Sequence, residues 1–99
     1  MAIWHLYLIR TRQNALYTGI TTDILKRFEA HETGKKGAKY LRSKGPLKLV
    51  YQVEMGDRAI ASKAEYRLKK LTKSQKEQIV ASQPDQQTLL ALLKIRATL

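Results

Sequence analysis

The stretch that most narrows the possible folds is residues 3–10, IWHLYLIR. Aromatic and aliphatic residues fall on both alternations, so a strand made from this run needs cover on both faces. A small domain meets that need with one layer of sheet carrying packed helices. TRQN, 11–14, is a turn cluster, and ALYTGI, 15–20, reads as a returning strand, giving a hairpin with a loop of about four residues. A hairpin symmetric about residues 11 to 13 sets Tyr7 and Tyr17 nearly opposite each other, with Cβ atoms about 5 Å apart. Gly19, inside the second strand, permits a bulge or a close backbone approach.

Thr22 suits the N-cap of a helix over 23–33, with Asp23 in its first turn and Gly34 as its stop. Ile24, Leu25 and Phe28 form its apolar stripe, and Arg27 and His31 stack one turn apart on the border of that stripe. The helix therefore brings a cation and an imidazole to the rim of its contact with the domain. Residues 34–46, GKKGAKYLRSKGP, read as an irregular basic segment, and LKLVYQVE, 47–54, as a third strand exposed on part of one face. Asp57 caps a helix over 58–72 that buries Ile60, Ala61, Ala64, Leu68 and Leu71, with Glu65 at the edge of the stripe. Thr72 and Gln75 form a capping box for a helix over 73–82. Pro84 and Asp85 start a last helix over 85–96, with Leu89, Leu90, Leu92 and Leu93 to bury. The expected architecture is ββαβααα: a single α+β domain over 1–99, with a small three-stranded antiparallel sheet flanked by helices.

Composition narrows the chemistry. There is no cysteine, so disulfides and cysteine-ligated metal sites are excluded. Two histidines, His5 and His31, do not build a zinc site alone. No apolar run approaches the roughly 18 residues of a membrane span, and MAIWHLYLIR lacks the order of a secretory signal. A cytoplasmic protein is expected. Nineteen Lys and Arg against eight Asp and Glu give a net charge of +11 and a pI near 10.1. That balance points to a polyanion, above all nucleic acid. A membrane surface fits less well, because the basic residues are spread over loops and several helices.

No P-loop, HExxH, GxSxG, EF-hand or dinucleotide fingerprint is present. What remains is Tyr7, Tyr17, Arg27, His31 and Glu65. Each has an ordinary reading. The tyrosines suit half-buried strands, Arg27 can lie along its helix, His31 suits a helix C-terminus, and Glu65 can pair with Lys69 at i,i+4. Taken together, the five resemble the site of the GIY-YIG nuclease family. His5-Leu6-Tyr7 stands in the place of Gly-Ile-Tyr, and Tyr17-Thr18-Gly19 in the place of Tyr-Ile-Gly. Arg27, His31 and Glu65, the last within KAEYRLKKL, fall where the family has its helix Arg, a His or Tyr one turn later, and its metal-binding Glu. The match in order and spacing runs over about 3–72. LYTGITTDILKRFEAH and GAKYLR resemble the small stand-alone bacterial YhbQ-like subgroup. The chain departs from the family at an Asn many members place late in the domain, since the only Asn here is Asn14, in the turn.

The resemblance implies hydrolysis of phosphodiesters in DNA, with RNA open as a second substrate, and DNA repair or recombination as the setting. It implies one divalent ion, Mg²⁺ or Mn²⁺, on Glu65, which suits a hard cation that keeps its waters. Tyr17 would take a proton from the attacking water, with His31 as rival base or relay. Tyr7 would orient the site, and Arg27 would stabilise the transition state. Phosphate grip would come from Arg10, Arg12, Lys35, Lys36, Lys39, Arg42 and Lys44, contacts that carry no sequence information themselves. Low sequence specificity, or recruitment by a protein partner, follows. A monomer is expected, or a weak dimer through the Leu-rich last helix. Two rivals stay open: a nucleic-acid-binding module of the same fold without turnover, and a structural basic domain whose candidate side chains point in unrelated directions. The enzyme reading requires the five to converge in one open basic cleft, and it fails if Glu65 lies across the sheet from Tyr17.

Overall fold

The computed structural model describes residues 2–33, 41 and 44–95. Strand β1 (Trp4–Arg10) is the centre of a three-stranded antiparallel sheet, between β2 (Leu16–Thr21) and β3 (Lys48–Gly56). Helix α1 (Ile24–Thr33) joins β2 to β3, and α2 (Arg58–Lys69), α3 (Lys73–Ser82) and α4 (Gln86–Leu92) follow. The order ββαβααα is the expected one, and the class is α+β.

The central strand is covered on both sides, as its double apolar pattern demands. Leu6 and Leu8 face Ala61, Ala64 and Leu68 of α2, Ile79 of α3 and the leucines of α4. Tyr7 and Ile9 face the other way, onto Ile24, Phe28 and Leu41. Three expected caps form. Asp57 accepts from the Ile60 amide at 2.8 Å, and Asp85 from the Thr88 amide at 2.8 Å. Thr72 and Gln75 close the capping box of α3.

Some local expectations are corrected. Asp23, not Thr22, caps α1, since its Oδ1 accepts from the Lys26 amide at 3.1 Å. Leu25 is 80 % exposed, because the helix turns Ile24, Phe28 and His31 inward at i, i+4 and i+7. Leu92 is 57 % exposed, while Leu89, Leu90 and Leu93 are buried. Helix α2 stops at Lys69 and α4 at Leu92, each short of its expected end.

Candidate active site

The α1 face of the sheet gathers the aromatic candidates. Alternation along β1 and β2 puts Tyr7, Tyr17 and Gly19 on this face. The two tyrosines are not opposite each other: Tyr7 pairs with Gly19, and Tyr17 with Ile9. The turn accounts for the shift. The Thr11 amide donates to the Ala15 carbonyl at 2.9 Å, and Asn14 adopts φ 66°, which centres the hairpin on Gln13. The tyrosines become diagonal neighbours with ring centroids 6.5 Å apart.

Gly19 makes room for Tyr7. A Cβ at Gly19 would sit 2.3 Å from the phenol oxygen and 2.5 Å from Cζ, inside van der Waals contact. The ring therefore crosses the bare backbone of β2, an edge strand, and carries its hydroxyl to the margin of the sheet. There it hydrogen-bonds His31 Nε2 at 2.9 Å. His31 is only 2 % exposed, so it belongs to the buried stripe of α1 rather than its rim. Tyr17 sets its ring edge-on to the imidazole, 5.5 Å between centroids.

Arg27, half-buried one turn before His31, stands near enough to the Tyr7 phenol to lower its pKa. The phenol oxygen and His31 Nε2 share one proton between them. Burial pushes Tyr7 up to about 12, against the lowering pull of the nearby Arg27 guanidinium. Burial also pushes His31 down to about 4, helped by the Arg27 charge. Both groups are thus neutral near pH 7, poised as donor and acceptor of one proton.

Glu65 arrives from the other layer. Its helix packs beneath Leu6 and Leu8, across the sheet from the tyrosines. Its charge acts on Tyr7 only as the smallest of the influences on the phenol. Glu65 flanks rather than joins the buried stripe of Ala61, Ala64 and Leu68. Glu65 Oε2 lies 3.4 Å from Lys69 Nζ, a partly exposed pair that a stronger cation can displace. Among the described residues, no three His, Cys, Asp or Glu side chains gather to enclose a metal ion. A lone accessible carboxylate does fit a hard cation that keeps its waters and takes its remaining oxygens from a substrate phosphate.

The basic residues divide. Arg10 forks onto Glu77 of α3 with two contacts of 2.7 Å and also donates to Asn14 at 2.6 Å. Lys73 joins the same carboxylate at 2.7 Å and the Asn14 carbonyl. These two cations hold Glu77 down at about 2. Arg10 thus ties the hairpin to α3 instead of standing open to phosphate. Arg12 is exposed, and Lys44 reaches Gln13 at 3.5 Å. Lys35, Lys36, Lys39 and Arg42 lie outside the described residues. Lys26, which periodicity assigns to the solvated back of α1, lines a shallow depression of about 280 Å³ with Thr21, Thr22, Asp23 and Arg27. The cap at Asp23 is the one sequence signal for it, because it places Lys26 in the first turn.

Comparison with known proteins identifies the family. The GIY-YIG catalytic domain profile matches residues 3–78. The UPF0213 protein YhbQ of Salmonella arizonae is 54% identical over 94 residues, covering 95% of this chain and 93% of that protein. A UPF0213 protein of Yersinia enterocolitica is 54% identical over 95 residues, covering 96% and 95%. Among solved structures, the solution NMR structure of a UPF0213 protein from Bacillus halodurans superposes with a TM-score of 0.55 at 32% identity, covering 95% of this chain and 99% of that one. With a tyrosine pair, an Arg–His helix face and a flanking glutamate set on this sheet, the chain belongs to the GIY-YIG family, in its YhbQ-like UPF0213 branch.

Proposed function

We propose that this protein is a divalent-metal-dependent endonuclease that hydrolyses phosphodiester bonds in DNA, and in RNA as a second substrate, with low sequence specificity. The observation that carries the proposal is the buried Tyr7–His31 hydrogen bond of 2.9 Å, with the Arg27 cation acting on both groups. A structural tyrosine in a core has no need of an imidazole acceptor and a cation at once.

The chain's own groups divide the work. Tyr7 gives its proton to His31 Nε2 and takes one from the attacking water, so the proton ends on the imidazole and the hydroxide attacks phosphorus. This moves the base role from Tyr17 to Tyr7, because the imidazole is bonded to Tyr7. Tyr17 walls the imidazole edge-on and holds its orientation. Arg27 stabilises charge on the phosphoryl oxygens and on the phenolate as it forms. Glu65 would hold the Mg²⁺ or Mn²⁺ ion, whose chemistry when bound is to stabilise charge on the scissile phosphate and the leaving 3′ oxygen. A cytoplasmic setting in DNA repair or recombination is part of the proposal.

The test is nicking of plasmid and single-stranded DNA with Mg²⁺ or Mn²⁺ by wild type, Tyr7→Phe, Tyr17→Phe, Arg27→Ala and Glu65→Ala. Tyr7→Phe and Glu65→Ala should bind DNA normally and cleave about 10²–10⁴-fold more slowly. Undiminished cleavage by Glu65→Ala would end the metal assignment. A binding module without turnover is the second reading, favoured by the phenol standing at about 12, where little phenolate exists near neutral pH. Intact DNA binding with no cleavage in any arm would establish it.

A further inference from the structure

The outer face of α2 carries a feature the site above does not use. Tyr66 is 61 % exposed, and the Lys70 ammonium sits 4.4 Å from its ring centroid. The ring overlooks an open depression of about 470 Å³ walled by Leu71, Gln75, Leu92 and Lys94. Four large apolar side chains are exposed among the described residues, and two of them, Tyr66 and Leu92, line this one depression. No acidic side chain lines it. The floor is held in place, because Arg67 Nη1 donates to the Leu93 and Lys94 carbonyls at 3.0 and 2.9 Å and pins the end of α4 against α2.

A mostly exposed aromatic ring with apolar neighbours and ammonium groups close by matches the physical need of an unpaired nucleobase and its backbone phosphate. A duplex keeps its bases stacked inside and offers no such face. We propose that Tyr66, with Lys70 and Lys94 at its rim, is a stacking platform for a nucleobase of single-stranded nucleic acid. This deepens the nucleic-acid reading of the neighbouring site, since Tyr66 directly follows Glu65 on the same helix. The net charge of +11 selects a polyanion over a neutral apolar partner.

The test measures fluorescence anisotropy of a labelled oligothymidylate, an abasic oligonucleotide of equal length and a duplex, all without divalent metal. Tyr66→Ala should weaken oligothymidylate binding about 5- to 150-fold, the loss expected for one stacked base. Tyr66→Phe, which keeps the ring, should bind as wild type, and the abasic strand and the duplex should not distinguish wild type from Tyr66→Ala. Unchanged oligothymidylate affinity in Tyr66→Ala overturns the proposal. So does an equal loss on the abasic strand, or a Tyr66-dependent gain for an acidic peptide with none for the oligonucleotide. Because no cleavage is measured, a chain that binds through Tyr66 yet never cuts would fail the nuclease proposal alone.

Discussion

Beneath α2, α3 and α4 the sheet buries Leu6, Leu8 and Met55 against Ala61, Ala64, Leu68 and the leucines of α4, with the Tyr51 hydroxyl tied to the Pro84 carbonyl. Beneath α1 it buries Tyr7, Ile9 and Ile24 around an imidazole. On that side of β3, Gln52 and Glu54, the partners of Tyr7 and His5, stay exposed. The first face is large and apolar, as a scaffold needs to be. The second is small and half-open, with Tyr7 and His31 joined across it. The contrast teaches that one sheet of this size separates its labours by face: one side supplies most of the folding energy, and the other has room for titratable groups. Glu65 belongs to the first side, and its charge acts weakly on the second.

The strongest way to break the contrast is Gly19→Ala. The added methyl would displace the Tyr7 phenol and part it from His31, so cleavage should fall about 10²–10⁴-fold. A nicking assay that shows near-normal turnover would separate the phenol from the chemistry. On the scaffold side, Leu68→Ala empties part of a fully buried site and should cost about 2–5 kcal/mol in urea unfolding, with cleavage per folded molecule retained. A loss below 1 kcal/mol, on the order of a surface change, would mean that the apolar face is not the main store of stability.

The smallest effect is a pH dependence confined to the polar face. His31 falls from an ordinary 6.5 to about 4 in the fold. Below 6.5 the unfolded chain takes up a proton that the folded chain refuses, so this share of stability is present above 6.5 and lost as pH falls through about 4. It amounts to at most ~3 kcal/mol. Unfolding of wild type and His31→Gln at pH 7 and pH 4 isolates it, because other acid groups cancel in the difference. Equal acid sensitivity in the two proteins would place the imidazole in a wetter site.

Much of this was readable from local signals. Element order followed from periodicity, and Asp57, the Thr72–Gln75 box and Asp85 marked helix starts through contacts only three residues long. Errors gathered where the deciding partner is distant or where neighbours compete. Thr22 and Asp23 are both good caps, and only the backbone path chooses between them. The hairpin register turned on Asn14 adopting positive φ, which shifted the tyrosines by one pair. Arg10 looked like a phosphate ligand because Glu77 lies 67 residues away in sequence. The burial of His31 was legible in the series Ile24, Phe28, His31, had an imidazole been admitted to an apolar stripe. Its bond to Tyr7 was not, since the two lie 24 positions apart with the whole of β2 between them.

The crossing of Tyr7 over Gly19 makes two distant positions a single unit of information. A phenol at 7 is admissible only while 19 has no side chain, and a bare backbone at 19 has a use only while 7 carries the phenol. A lineage that gives up the tyrosine therefore releases the glycine as well, and regaining the reaction would then require both changes, each without benefit until the other is made.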